Sequence, residues 1–200
     1  MQKKKLSLVT TNLEKYNEIK VLMQDVADLD RIDDNKVELK EDSIEQTALG
    51  NAQFFANKYK TTIIIDDSGL FFEAYPKFPG PHPKLMYQLL GYKGLSKLLE
   101  GESRKAVFRC ALGYCEPGKK PQLFVGEMAG TIADKPSDKR NEYMPYERIF
   151  IADACKKLVC EMSREDKNKI SHRAMAVKKL KEFLLGFKTY TIICVYLLYN

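Results

Sequence analysis

Residues 63–70 read Ile63-Ile64-Ile65-Asp66-Asp67-Ser68-Gly69-Leu70. Thr61–Ile65 is a run of five β-favouring residues, the signature of a strand covered on both faces. It delivers two adjacent carboxylates to what the sequence marks as its end, a costly arrangement unless a metal or hydrogen bonds compensate them. Side-chain alternation sends the pair to opposite faces, so only one can point directly into a given cleft. Ser68-Gly69 reads as the turn. An Asx-turn closing an ordinary strand is the plainer alternative, but an all-apolar strand leading into the pair favours metal binding or catalysis.

Working outward, Lys5–Thr11 is a short β-rich run followed by a helical pattern with Tyr16, Ile19, Leu22 and Met23 on one face. Val37–Leu39 reads as a short strand, and Ser43 as the N-cap of a helix running to about Tyr59. A Pro/Gly loop over Tyr75–Pro83 precedes two short helical stretches, Lys84–Leu90 and Gly94–Leu99. Ala106–Tyr114 and Leu123–Ile132 form a strand pair across the turn Glu116–Pro121. Asp134–Tyr146 is polar and irregular. Ser171 caps a last helix whose apolar face is Ala174, Val177, Leu180 and Leu184, ending near Gly186. Strands alternating with helices predict an α/β fold with a mixed central sheet and flanking helices.

The bulk properties fit one globular domain. The chain has 200 residues, 44% hydrophobic and 30% charged, which excludes a disordered class. Residues 1–100 hold 14 Lys+Arg against 15 Asp+Glu, whereas residues 101–200 hold 19 against 12. A basic half facing an acidic half suits a cleft for a polyanion with a divalent metal, and equally suits nucleic acid. The five cysteines lack CxxC spacing and read as free thiols in a reducing compartment. No secretory signal is recognisable after Met1–Lys5, and Thr189–Tyr199 is too short an apolar run to span a bilayer. A cytoplasmic location follows as an expectation.

Three further segments carry chemistry. Thr10-Thr11-Asn12-Leu13-Glu14-Lys15 places hydroxyl, amide and ammonium groups where a strand turns into a helix, an arrangement suited to anions, though taken alone it reads sooner as a capped helix with a surface lysine. The segment Glu161–Arg173 sets His172 and Arg173 in the first turn of a helix. Imidazole and guanidinium donors there suit the 6-oxo group and N7 of a purine, and Lys167 adds charge for phosphate. Phe78-Pro79-Gly80-Pro81-His82-Pro83-Lys84 is a stiff loop in which Lys84 alone has a clear chemical use. A solvated charged loop and a rigid connection are the plainer readings of these last two.

In this order and spacing, the segments resemble the inosine triphosphate pyrophosphatase family over about Leu6 to Phe183. The resemblance is most specific at Thr10-x-Asn12-x-x-Lys15, Asp66-Asp67-Ser68-Gly69-Leu70 and Glu161-Met162-Ser163…Lys167-Asn168…Ser171-His172-Arg173. It implies an elongated two-lobed α/β domain (residues 1–186) with a deep cleft, working as a magnesium-dependent homodimer. It also implies hydrolysis of deaminated purine nucleoside triphosphates to monophosphate and pyrophosphate. On that resemblance Thr10, Asn12 and Lys15 hold the triphosphate, with Lys84 and Lys167 on phosphate. Asp67 is the metal ligand and water activator, with Glu41 as second acidic ligand. His172 and Arg173 read the base, and Ser68, Met144, Tyr146 and Glu147 complete the substrate-binding set.

The chain departs from the family pattern in several places. Thr11 stands where the family has glycine. Gln46 and Asn51 occupy the candidate positions of the lysine usual on the second helix, leaving one cation missing. The connection Glu41–Glu45 is shorter. Tyr143-Met144-Pro145-Tyr146-Glu147-Arg148 replaces Gly-Phe-Gly-Tyr/Trp-Asp-Pro, so a stacking aromatic becomes Met144. The tail 187–200 has no family counterpart. These changes keep a second reading open, a nucleotide-binding relative with weakened catalysis. A nucleic-acid module ranks below both because no RNP-like strand or recognition helix is visible, and no membrane partner is expected.

Overall fold

The computed structural model describes residues 3–37, 43–139 and 144–187. Three long strands set its dimensions: β3 (Ile63–Phe72), β5 (Lys105–Cys115) and β6 (Gln122–Ile132), paired antiparallel along their lengths. At about 3.3 Å per residue, strands of 11 residues reach about 36 Å, too long for one core to cover. Two lobes result. At the β3 start, β1 (Lys4–Val9) joins in parallel and carries β2 (Ala27–Ile32) outside it. At the other end sit the short strands β4 (Pro79–Gly80), β7 (Phe150–Ala152) and β8 (Lys157–Leu158). The sheet order is β2-β1-β3-β5-β6-β7-β8, with β4 against β3.

The first lobe is a three-layer sandwich built by the period-2 alternation of the Ile run. Ile64 faces α1 (Leu13–Met23) and α5 (His172–Leu184), in a core with Ile19, Met23, Val177 and Leu180. Ile63 and Ile65 face α2 (Ile44–Tyr59), in a core with Ala48, Ala52 and Phe55. Close approach of the helices needs glycine on the strands. A Cβ on Gly113 would strike the Ala48 carbonyl, and one on Gly126 would strike the His172 carbonyl and the Ala176 nitrogen. The second lobe gathers Leu70, Phe72, Leu95, Met128, Tyr146, Ile149 and Phe150 under α3 (Pro83–Leu98). Gly91, at φ 59°, breaks α3 into the two helical stretches that the sequence separates.

The fold class stands as the sequence indicates, with corrections in detail. β3 does not end at Ile65, and Ser68-Gly69 is no turn. Pairing with β5 continues to Phe72, so Asp66 and Asp67 lie in mid-strand. Tertiary pairing overrides the local turn propensity of Ser-Gly. β2 lies at Ala27–Ile32, where alternation of charged and apolar residues gives only a weak signal, while Val37 is outside any strand and residues 38–39 lie outside the described residues. The charged run after Ser163 is a short helix, α4 (Arg164–Ile170), capped by the Ser163 hydroxyl. Asp134–Tyr146 is irregular where described, up to a 3₁₀ turn over Pro145–Arg148. The tail beyond Phe187 lies outside the described residues.

Candidate active site

β1 pairs with β3 only as far as Ile64, and β4 pairs with it from Leu70. Between these contacts, residues 65–69 form an edge that neither strand covers. Side chains from both faces of the sheet reach the space beside this gap. A cavity of about 530 Å³ opens there, lined by residues from both lobes. Its volume suits a nucleotide-sized ligand. Asn12, Lys15, Asp67, Ser68, Lys84, Met144, Tyr146, Glu147, Lys167, His172 and Arg173 all line it, so segments distant in sequence converge on one cleft. Thr10 does not line it. Its hydroxyl accepts the Asn12 N–H at 3.1 Å, and the Asn12 side chain accepts the Lys15 N–H at 3.1 Å. Thr10 shapes the turn that aims the helix. Glu41 and Tyr143 lie outside the described residues.

The two central carboxylates diverge. Asp66 faces α1 and α5 and is 4% exposed. It accepts from Lys15 Nζ at 2.5 Å, Arg173 Nε at 2.7 Å and Ser68 Oγ at 2.8 Å. Burial alone would raise its pKa, but the Arg173 and Lys15 charges override that and hold the carboxyl well below the usual range. Arg173 also donates through Nη1 to Glu18, and Lys167 donates to Glu18 and, at 2.6 Å, to Glu147. Three cations and three carboxylates thus interlock under the floor of the cleft. Burial raises the Glu147 carboxyl, and Lys167 only partly offsets it.

The guanidinium of Arg173 is buried, with Nε and Nη1 committed to Asp66 and Glu18. Two of its three nitrogens thus hold the carboxylate pair, while Arg173 still lines the cavity. His172 keeps the more available polar group. Its ring stacks on Phe108, 5.0 Å between centroids at 13°, and its Nδ1 is buried with no hydrogen-bond partner among the described residues. Burial, reinforced by the Arg173 charge, lowers its pKa well below 6.5, so the imidazole is neutral at pH 7. The Tyr146 hydroxyl is also buried without a partner among the described residues. Buried polar atoms are nearly always satisfied, which makes two such atoms at one cavity unusual.

Asp67 faces α2, and its carboxylate accepts from Lys36 Nζ. Among the described residues, no three His, Cys, Asp or Glu side chains gather into a metal cage. Magnesium does not need one, because it is commonly held by one or two carboxylates together with substrate phosphates. Asp67 at the cavity wall fits that mode.

The sequence reading misses Lys36, Glu18 and Phe108. Glu18 had a signal, a carboxylate one turn after Lys15 beside the apolar Ile19. Lys36 had none, because it sits in an irregular segment far from every motif.

The Ham1 family matches residues 6–183. A dITP/XTP pyrophosphatase of Methanopyrus kandleri is 39% identical over 181 residues, covering 90% of this chain and 95% of that protein. A dITP/XTP pyrophosphatase of Pyrobaculum aerophilum is 37% identical over 182 residues, covering 90% and 96%. The structure of a HAM1 protein from Coxiella burnetii superposes with a TM-score of 0.77 at 23% identity, covering 91% of this chain and 98% of that one.

Proposed function

This chain belongs to the Ham1 family, and on that footing we propose that it hydrolyses deaminated purine nucleoside triphosphates to monophosphate and pyrophosphate. The observation that carries the reading is the cleft itself. One cavity gathers Asp67, the lysines 15, 84 and 167, and the two orphan polar atoms, His172 Nδ1 and Tyr146 Oη.

In this reading Asp67 orients the water that attacks the α-phosphorus and takes up its proton as the bond to the bridging oxygen breaks. A bound magnesium ion would neutralise phosphate charge, held by Asp67 and the phosphates, with Glu41 a sequence-based candidate for a second ligand. Among the described residues Lys84 makes no ion pair, and it meets the negative charge that leaves with pyrophosphate. Lys15 and Lys167 are partly neutralised by Asp66, Glu18 and Glu147. They act as oriented donors held by a rigid base, which limits reorganisation during the reaction. On the base side, neutral His172 can donate or accept one hydrogen bond to a purine edge, and Tyr146 offers a hydroxyl. Met144 gives an apolar wall in place of a stacked ring. We further place the protein in the cytoplasm, consistent with its free thiols, and expect a homodimer.

The test is pyrophosphate release from inosine, deoxyinosine and xanthosine triphosphates with magnesium, with ATP and GTP as contrasts. Release from the first three in preference to the last two is expected. Binding without pyrophosphate release would replace the enzyme reading with a nucleotide-binding one.

A further inference from the structure

Neither Gln46 nor Asn51 can supply the cation usual on α2, and Gln46 does not line the cleft. The structure shows instead what Asn51 does. Its side chain is fully buried. Oδ1 accepts the Val37 N–H at 2.7 Å, and Nδ2 donates to the Val37 carbonyl at 3.1 Å and the Thr47 carbonyl at 2.9 Å. This amide clasps both backbone polar groups of one residue, much as a neighbouring strand would. The residue immediately before the clasp is Lys36. Its Nζ donates to the Asp67 carboxylate and stands 3.5 Å from the Asp66 carbonyl, on the uncovered edge of β3. Lys36 lines the same cavity, and its side chain remains 33% exposed.

We propose that Lys36 is a phosphate-binding residue of this cleft, docked on Asp67 until nucleotide and metal arrive, and that Asn51 is the positioning residue that aims it. The inference rests on the nucleotide reading above, although its physical core is only the binding of a polyphosphate. An ammonium on a flexible stem can leave one oxygen for another without backbone movement. The Asn51 clasp fixes where that stem starts. A cation absent from the helix is thus returned to the site from the connection between β2 and α2.

Inorganic tripolyphosphate is the probe, titrated calorimetrically at about 0.15 M salt, where charges more than about 8 Å apart are screened. Lys36→Met should weaken binding about tenfold, the scale of one charge-assisted hydrogen bond, and Lys36→Arg should recover part of it. Asn51→Ala, which keeps every charge, should weaken binding in the native background and have no effect in the Lys36→Met background. Equal affinity of the native protein and Lys36→Met would overturn the proposal, leaving Lys36 a mere counter-ion of Asp67. An Asn51→Ala effect that persists without Lys36 would overturn the positioning role. Should Asn51→Ala fail to fold, the Met and Arg variants still decide for Lys36. Pyrophosphate release from inosine triphosphate, measured on the native protein, separates the two readings. Tripolyphosphate binding that depends on Lys36 but comes with no release would sink the enzyme reading alone.

Discussion

Asp66 and Asp67 are neighbours in sequence and opposites in use. Asp66 enters the face shared by α1 and α5, where Arg173, Lys15 and Ser68 occupy its oxygens. Asp67 enters the α2 face at the open edge of β3, where Lys36 alone among the described residues pairs with it. The difference teaches that alternation alone can send one carboxylate of a strand into a buried ion network and its neighbour to an open cleft. The first is fully committed to buried partners, while the second has one partner on a flexible, partly exposed side chain.

Changing each carboxylate in turn should give opposite phenotypes. The largest expected effect is on turnover: Asp67→Asn should cut kcat about 10²–10⁴-fold, the range for a lost general base, with a nearly unchanged melting temperature. A variant that melts early instead would make Asp67 structural as well. Asp66→Ala should cost about 3–5 kcal/mol of stability, because it strands buried Arg173 against Glu18 alone. Denaturant titration reads this directly, and a loss below about 1 kcal/mol would dissolve the contrast.

Acid should expose the Asp66 face in two stages. The imidazole of His172 is depressed below 6.5 in the fold, so the unfolded chain binds the proton first. Stability therefore falls as pH drops below about 6.5, by up to about 1.4 kcal/mol per pH unit. Asp66 and Glu18, also depressed, hold stability above their unfolded values near 4 and lose it as pH falls further. His172→Gln should remove the upper stage and keep the lower. An unchanged upper stage in that variant would assign it to another group. The smallest effect concerns the base wall, where Met144→Phe should lower KM for inosine triphosphate about fivefold with kcat steady, the low end of the about 1–3 kcal/mol that base stacking on an aromatic ring is worth.

The fold was legible wherever period and burial agree. The Ile63–Ile65 run, the Ser43 and Ser171 caps and the apolar face of the last helix all lie where the sequence puts them, because local propensity and core packing favour the same conformation there. The site was legible as a set of residues, since every predicted site residue within the described chain except Thr10 lines the cleft. Roles were less legible. Arg173 reads as a base contact from its motif, and the motif gives no sign that its guanidinium also pairs with Asp66 and with Glu18 from α1.

The sequence by itself determined an α/β chain with a carboxylate pair on a buried strand and two helix starts suited to a nucleotide. Those features rest on periodicity, capping and residue chemistry, which act within a few positions. Tertiary structure alone decided that β3 runs on through Ser68-Gly69, which carboxylate faces which layer, and that Lys36 reaches Asp67. Each of those depends on partners far along the chain, β5 for the strand and Asn51 for the lysine. A hydrogen bond or ion pair forms only when the fold brings both members within about 3 Å.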